Sequence, residues 1–341
     1  MPLIRRRTDG ESTRPVWPRR PRAALARVDL SFGDPRLAAL REAAAAGRWP
    51  EIRALLDGAV HSGDCEELTW LVEGLMMVAG SERWLGEVTR AEPHDPLALL
   101  VSGARHVEWA WEARTRQRAQ NVSREQFEVF HARLRTAEDL LYEVAEAVPE
   151  WVAPWYFLQI SGRGLQVGPQ VAARRFEASV RRCPAHLAAH RQHLQQICRK
   201  WGGSHEEMHA FAREAMLAVP PGGTLGELVA VAHLEHWLDL QDDSADMDGG
   251  RGTEYLRGAD VIVSLYEAAE RSVHHPDYPR RRDWTRGFNT FAMAFALAGE
   301  REAAADLFRV LDGSVTEFPW MYLDGRDPAA PFRGWRVLVG A

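Results

Sequence analysis

The pentapeptide His205-Glu206-Glu207-Met208-His209 sets two imidazoles four residues apart, with a carboxylate beside the first. On an α-helix this spacing puts both rings on one face, one turn apart, where their nitrogens can share a zinc ion. Glu206 then stands as general base for a metal-bound water. Such a site needs a third ligand, and the segment "HLEHWLD" offers Glu235, with Asp239 four residues further on. The chemistry implied is metal-assisted hydrolysis, with zinc held by His205, His209 and Glu235.

The element that must carry these residues weighs against that reading. "GGS" precedes His205, and Ser204 with Glu207 makes an S-x-x-E capping box, so His205 falls in the first helical turn. Phe211, Ala212, Ala215 and Met216 follow as a packing stripe that needs no metal. As text, the string resembles the signature of thermolysin-like zinc peptidases, which implies a zinc-dependent hydrolase. That family carries the motif well inside a longer helix, has an uncharged residue where Glu207 stands, and lines its cleft with an edge strand. The reading these residues favour is a capped, polar helix start with surface histidines. Glu128 and His131 repeat the E-x-x-H spacing, which di-iron bundles use only with carboxylates from two further helices.

Composition narrows the function classes. A formal charge of −6 argues against a generally basic nucleic-acid binder. Within residues 1–27 there are eight arginines, four prolines and two acids, a composition that predicts a flexible basic tail over 1–30. This tail is the one segment suited to touching nucleic acid or an acidic partner. Lys200 is the only lysine in an arginine-rich chain. Cys65, Cys183 and Cys198 are odd in number and lack metal-type spacing, so no disulfide framework is expected and a reducing cytoplasm fits. No run of apolar residues is long enough to span a membrane, and no membrane partner is expected. "DDSADMDGG", Asp242 to Gly250, lacks the ligand positions of a calcium loop and reads as an acidic connection within the chain.

From Asp34 onward the pattern is amphipathic helix. Pro35 opens one helix and Gly47 closes it, while Ser123 can cap another, with Glu125 or Gln126 in its first turn. "HVEWAWEAR" puts Trp109 and Trp111 on roughly opposite helix sides and reads as helix packing with a solvated acidic edge. The only candidate strand is the terminal "WRVLVGA". The fold class predicted is all-α, over residues 31–341, with a possible subdivision near 240–253.

Pro149, Pro184 and Pro220 each follow a helical segment at separations of 35 and 36 residues. That period suits helix–turn–helix units stacked as an α-solenoid. In "GFNTFAMAFALAGEREAAADLFRVL", Phe288, Phe291, Ala292, Phe295, Gly299, Ala304 and Phe308 carry the aromatic, small, turn-glycine order of a repeat. With these residues the chain resembles the tetratricopeptide-repeat family, in a degenerate form. The resemblance implies a non-enzymatic scaffold that binds a protein or peptide on a curved surface, with no cofactor. The alternatives are a small-molecule-binding or biosynthetic helical enzyme, and the zinc-dependent hydrolase above.

Overall fold

A computed structural model describes residues 26–114, 122–242 and 250–341, with the backbone alone at Asp242. The first 25 residues of the expected tail, the predicted helix end at 115–119 and most of the acidic segment after Asp242 lie outside the described residues.

Why helices form where they do is visible at their ends. The Asp34 carboxylate accepts from the Arg36 amide, Pro35 occupies the first turn, and α1 (Pro35–Ala45) runs until Gly47 turns the chain at φ +68°. There follow α2 (Trp49–Val60), α3 (Glu67–Met76), α4 (Ser81–Ala91) and α5 (Pro96–Arg114). α6 (Arg124–Ala147) opens on a complete capping box, Ser123 and Gln126 each binding the other's backbone. α7 (Ala153–Leu165), α8 (Pro169–Arg182) and α9 (Leu187–Gln196) lead to α10 (His205–Leu217), whose first turn is capped by Ser204 accepting from the Glu207 amide. Pro149, Pro184 and Pro220 fall just beyond α6, α8 and α10, where a missing N–H costs no helical hydrogen bond. The chain continues through α11 (Glu227–Asp242), α12 (Gly250–Leu256), α13 (Ala259–Glu270), α14 (Trp284–Ala298), α15 (Arg301–Leu311) and α16 (Ala329–Val339).

The molecule is therefore all-helical apart from two short strands among the described residues. Consecutive helices pack on one another from α4 to α16, and a second set of contacts skips one helix: α1 on α3, α3 on α5, α5 on α7, α7 on α9 and α9 on α11, then α11 on α14. Close approach needs small residues at the crossings. A Cβ added at Gly164 on α7 would lie 2.5 Å from Leu134 and 2.7 Å from Phe130 of α6. In the α14–α15 pair, Phe288, Phe291, Phe295 and Phe308 are buried, and Gly299 makes the turn at φ +90°. Two apolar clusters result: one is built mainly by α1–α7, the other mainly by α9–α16.

The two ends of this row meet. Strand β1 (Arg27–Val28) pairs in parallel with β2 (Ser314–Val315), Arg27 opposite Ser314 and Val28 opposite Val315. Arg333 Nη1 donates to the Ala26 carbonyl at 3.1 Å. Further in, Arg282 binds Asp64, Glu66 and Glu67 at the start of α3.

Two expectations are corrected. "WRVLVGA" is helix rather than strand, because Ala329 and Phe332 anchor α16 in the core and Trp335 and Val339 extend the same stripe. Cysteine usage also differs: Cys65 and Cys183 form a disulfide with Cα atoms 5.9 Å apart, and only Cys198 is free. The sequence separation of 118 residues hid the pairing. Among the described residues no helix is long and apolar enough to cross a membrane. Denatured without reductant, the protein should expose one reactive thiol, that of Cys198, and three after reduction; a count of three before reduction contradicts the bridge.

Candidate functional site

Helices α3, α5, α7 and α9, which touch in sequence, together line a groove of about 1820 Å³. Its aromatic surface comes from Trp111, Phe127, Phe130 and Trp201, with Trp111 edge-on to Trp201 at 6.1 Å. Gln192, Gln195 and Gln196, from the last turns of α9, add side-chain amides to the same wall.

A chain of hydrogen bonds crosses the floor. Arg163 Nη2 donates to Gln192 Oε1 at 2.9 Å, Gln192 Nε2 donates to Tyr156 Oη at 3.4 Å, and Tyr156 Oη donates to Glu73 Oε1 at 2.6 Å. Burial raises the pKa of Glu73 and outweighs the Tyr156 hydrogen bond, while burial and the Glu73 charge push the Tyr156 phenol well up. Arg163 has no carboxylate within ion-pair distance among the described residues, and burial brings its guanidinium down to about 10. A second polar knot holds Glu235. Its carboxylate accepts from Gln195 and Tyr322, and from Lys200 Nζ at 2.7 Å. Beside it, burial pushes the Cys198 thiol up to about 12, far from the range in which a cysteine is a nucleophile.

The structure places His205 and His209 one turn apart on α10, as the spacing predicts, but brings them to different partners than the zinc reading requires. Glu235 spends its oxygens on Gln195, Lys200 and Tyr322, and Glu206 is exposed at the first turn of α10. Both histidines are half-buried. His205 Nε2 donates to the Asp239 carboxylate at 3.0 Å, and the ring stacks on His236 with ring centres 3.7 Å apart. His209 Nε2 lies 3.2 Å from His236 Nδ1 and 3.1 Å from Tyr255 Oη, which in turn meets His233 Nδ1 at 2.7 Å. Among the described residues, no three His, Cys, Asp or Glu side chains converge in a way that could hold a metal ion. Glu128 and His131 lie on α6, and His131 lines the groove wall rather than meeting the α10 histidines. Glu112, read as solvated edge, binds the buried Arg105 through both oxygens at 2.9 Å.

Sequence reasoning did not single out Glu73, Tyr156, Arg163 or Gln192. Glu73 and Tyr156 are 83 residues apart, and no local spacing links them. Lys200, unique in the chain, and Trp111 and His131 were the signals visible near the groove.

No family model matches the chain, and comparison with curated proteins finds no match. Its chemistry must be argued from these residues.

The histidine chain has a pH signature. Burial, with the charges of neighbouring histidines second, holds His233 down to about 3 and His209 and His236 down to about 4. Histidines in the unfolded chain bind protons near pH 6.5, so the folded state is fully favoured above that pH and loses stability as pH falls from about 6.5 toward 3. A fully protected histidine contributes about 1.4 kcal/mol per pH unit across that window, and the half-buried His236 less. The Tm should drop from pH 6.5 to about 3, and less steeply in His209→Gln. A Tm that stays constant through this window contradicts the assignment.

Proposed function

We propose that the protein is a binding scaffold of the α-solenoid kind, with tetratricopeptide-like helix pairs, whose groove takes an extended peptide segment of a protein partner. The groove's volume carries this reading: about 1820 Å³ is larger than the roughly 300–1,000 Å³ that suits a small molecule. The skip-one helix contacts support it, since stacked helix pairs leave one layer of helices facing inward. The wall chemistry fits a peptide as well. Side-chain amides of Gln192, Gln195 and Gln196 offer both donor and acceptor to a peptide backbone, and Trp111 and Trp201 offer rigid faces for apolar side chains. The cytoplasmic place of action expected from the cysteine count sits badly with the Cys65–Cys183 bridge, because thiols are kept reduced there.

Selection of phage-displayed random dodecapeptides on the full chain tests the reading. Selected peptides should compete with one another and lose at least tenfold in affinity on Trp201→Ala or Gln192→Ala, about 1.4 kcal/mol or more. A selection that yields no saturable binder, or binders indifferent to both substitutions, overturns it.

A further inference from the structure

Among the described residues Arg105, Arg175 and Arg191 are fully buried, and each is held by one or two carboxylates. Arg163, on the floor of the groove, is held differently. Its Nη1 donates to the Gln192 carbonyl at 3.3 Å and its Nη2 to Gln192 Oε1 at 2.9 Å, and both acceptors are neutral. A guanidinium has five N–H groups, so three are left over, that of Nε among them. Nε has no partner among the described residues, yet unlike the Nε of Arg175, Arg191 and Arg286 it is not shut off from solvent. The side chain is half-buried and lines the groove, so Nε opens on space that a ligand can enter.

The acids around it are engaged elsewhere. Lys200 holds Glu235 at 2.7 Å, and Arg105 holds both oxygens of Glu112. Glu73 lies beyond Gln192 and Tyr156 along the floor, and burial makes its carboxyl hold a proton more readily than usual. Withdrawing a cation from water with amide oxygens alone as partners is unfavourable, and a carboxylate in the groove offsets that.

Arg163 also stands where two stretches of the groove join. On one side run Gln192, Tyr156 and Glu73, linked by hydrogen bonds. On the other, the guanidinium carbon is 5.8 Å from the Trp201 ring, and Trp201, Trp111, Phe130 and Phe127 follow in ring-to-ring contact. A peptide filling the groove therefore continues to both sides of Arg163. That position suits a side chain within the peptide rather than its terminal carboxylate.

We propose that the groove selects peptides by an internal acidic residue, whose side-chain carboxylate takes the free N–H groups of Arg163 while a neighbouring apolar residue packs on Trp201 and Trp111. This rests on the peptide reading of the groove and adds a charge requirement to it.

The test uses synthetic dodecapeptides, copied from those that phage selection on the full chain returns, with affinity read by fluorescence anisotropy. Peptides that depend on Trp201 should contain Asp or Glu, and exchanging one such acid for its amide should weaken binding at least tenfold. Arg163→Met and Arg163→Gln both remove the charge, the second keeping an N–H donor for Gln192. On either variant the same exchange should change affinity less than twofold. Amidating the peptide's C-terminus should also change affinity less than twofold. The proposal is overturned by Trp201-dependent peptides that tolerate the exchange of every acid, or by an exchange that weakens binding as much on the variants as on the natural chain. A tenfold loss on C-terminal amidation overturns it too, since the carboxylate is then the chain's end. Each of these results leaves the peptide reading standing, whereas a selection that yields no saturable binder overturns both.

Discussion

Two adjacent residues of opposite charge tie the halves of this molecule together. Arg282 reaches back to Asp64, Glu66 and Glu67 at the head of α3, and Asp283 turns the other way to Arg191 on α9, which also holds the buried Glu227. Burial pushes the Asp283 carboxyl up, but Arg191 and Arg286 outweigh it and leave it ionised more readily than usual. Charges this deep are tolerable only when paired, and removing one partner strands the other. Arg282 also sits at φ +51°, a left-handed conformation that a side chain of this size adopts only when its surroundings fix it. The joint matters because the start of α9, and hence the amide face of the groove, takes its position from it.

Much of the architecture was legible because its causes are local. Caps at Asp34, Ser123 and Ser204, and prolines after α6, α8 and α10, mark helix ends by hydrogen-bond geometry that three or four residues determine. α16 was misread for the opposite reason. "WRVLV" on its own looks like a short apolar strand, and the helical period shows only when Ala329 and Phe332 are included. The disulfide could not be read at all, since it depends on the turn before α3 and the residue after α8 meeting in space.

The histidine string shows how register decides a site. Glu235 and His236 are neighbours in sequence but point about 100° apart on a helix. The stripe of α11 that faces α10 is His233, His236 and Asp239, spaced by three, so His205 and His209 meet those groups. Glu235 belongs to the adjacent stripe and faces Gln195 and Lys200. Spacing along one helix was read correctly from the text, while the rotation of its partner was not. The groove floor is harder still: Glu73, Tyr156, Arg163 and Gln192 come from three helices, and only the packing of α3, α7 and α9 makes them one chain of hydrogen bonds.

The short parallel ladder between Arg27–Val28 and Ser314–Val315 looks minor beside sixteen described helices, yet it changes how the whole can come apart. A row of helices held only by its neighbours peels from its extremities, one pair at a time. Here residues 26–28 are clasped to residues 314–315 and to Arg333, so neither stretch can lift away without releasing the other. Fraying at one stretch is thereby coupled to fraying at the other, although most of the described chain separates them.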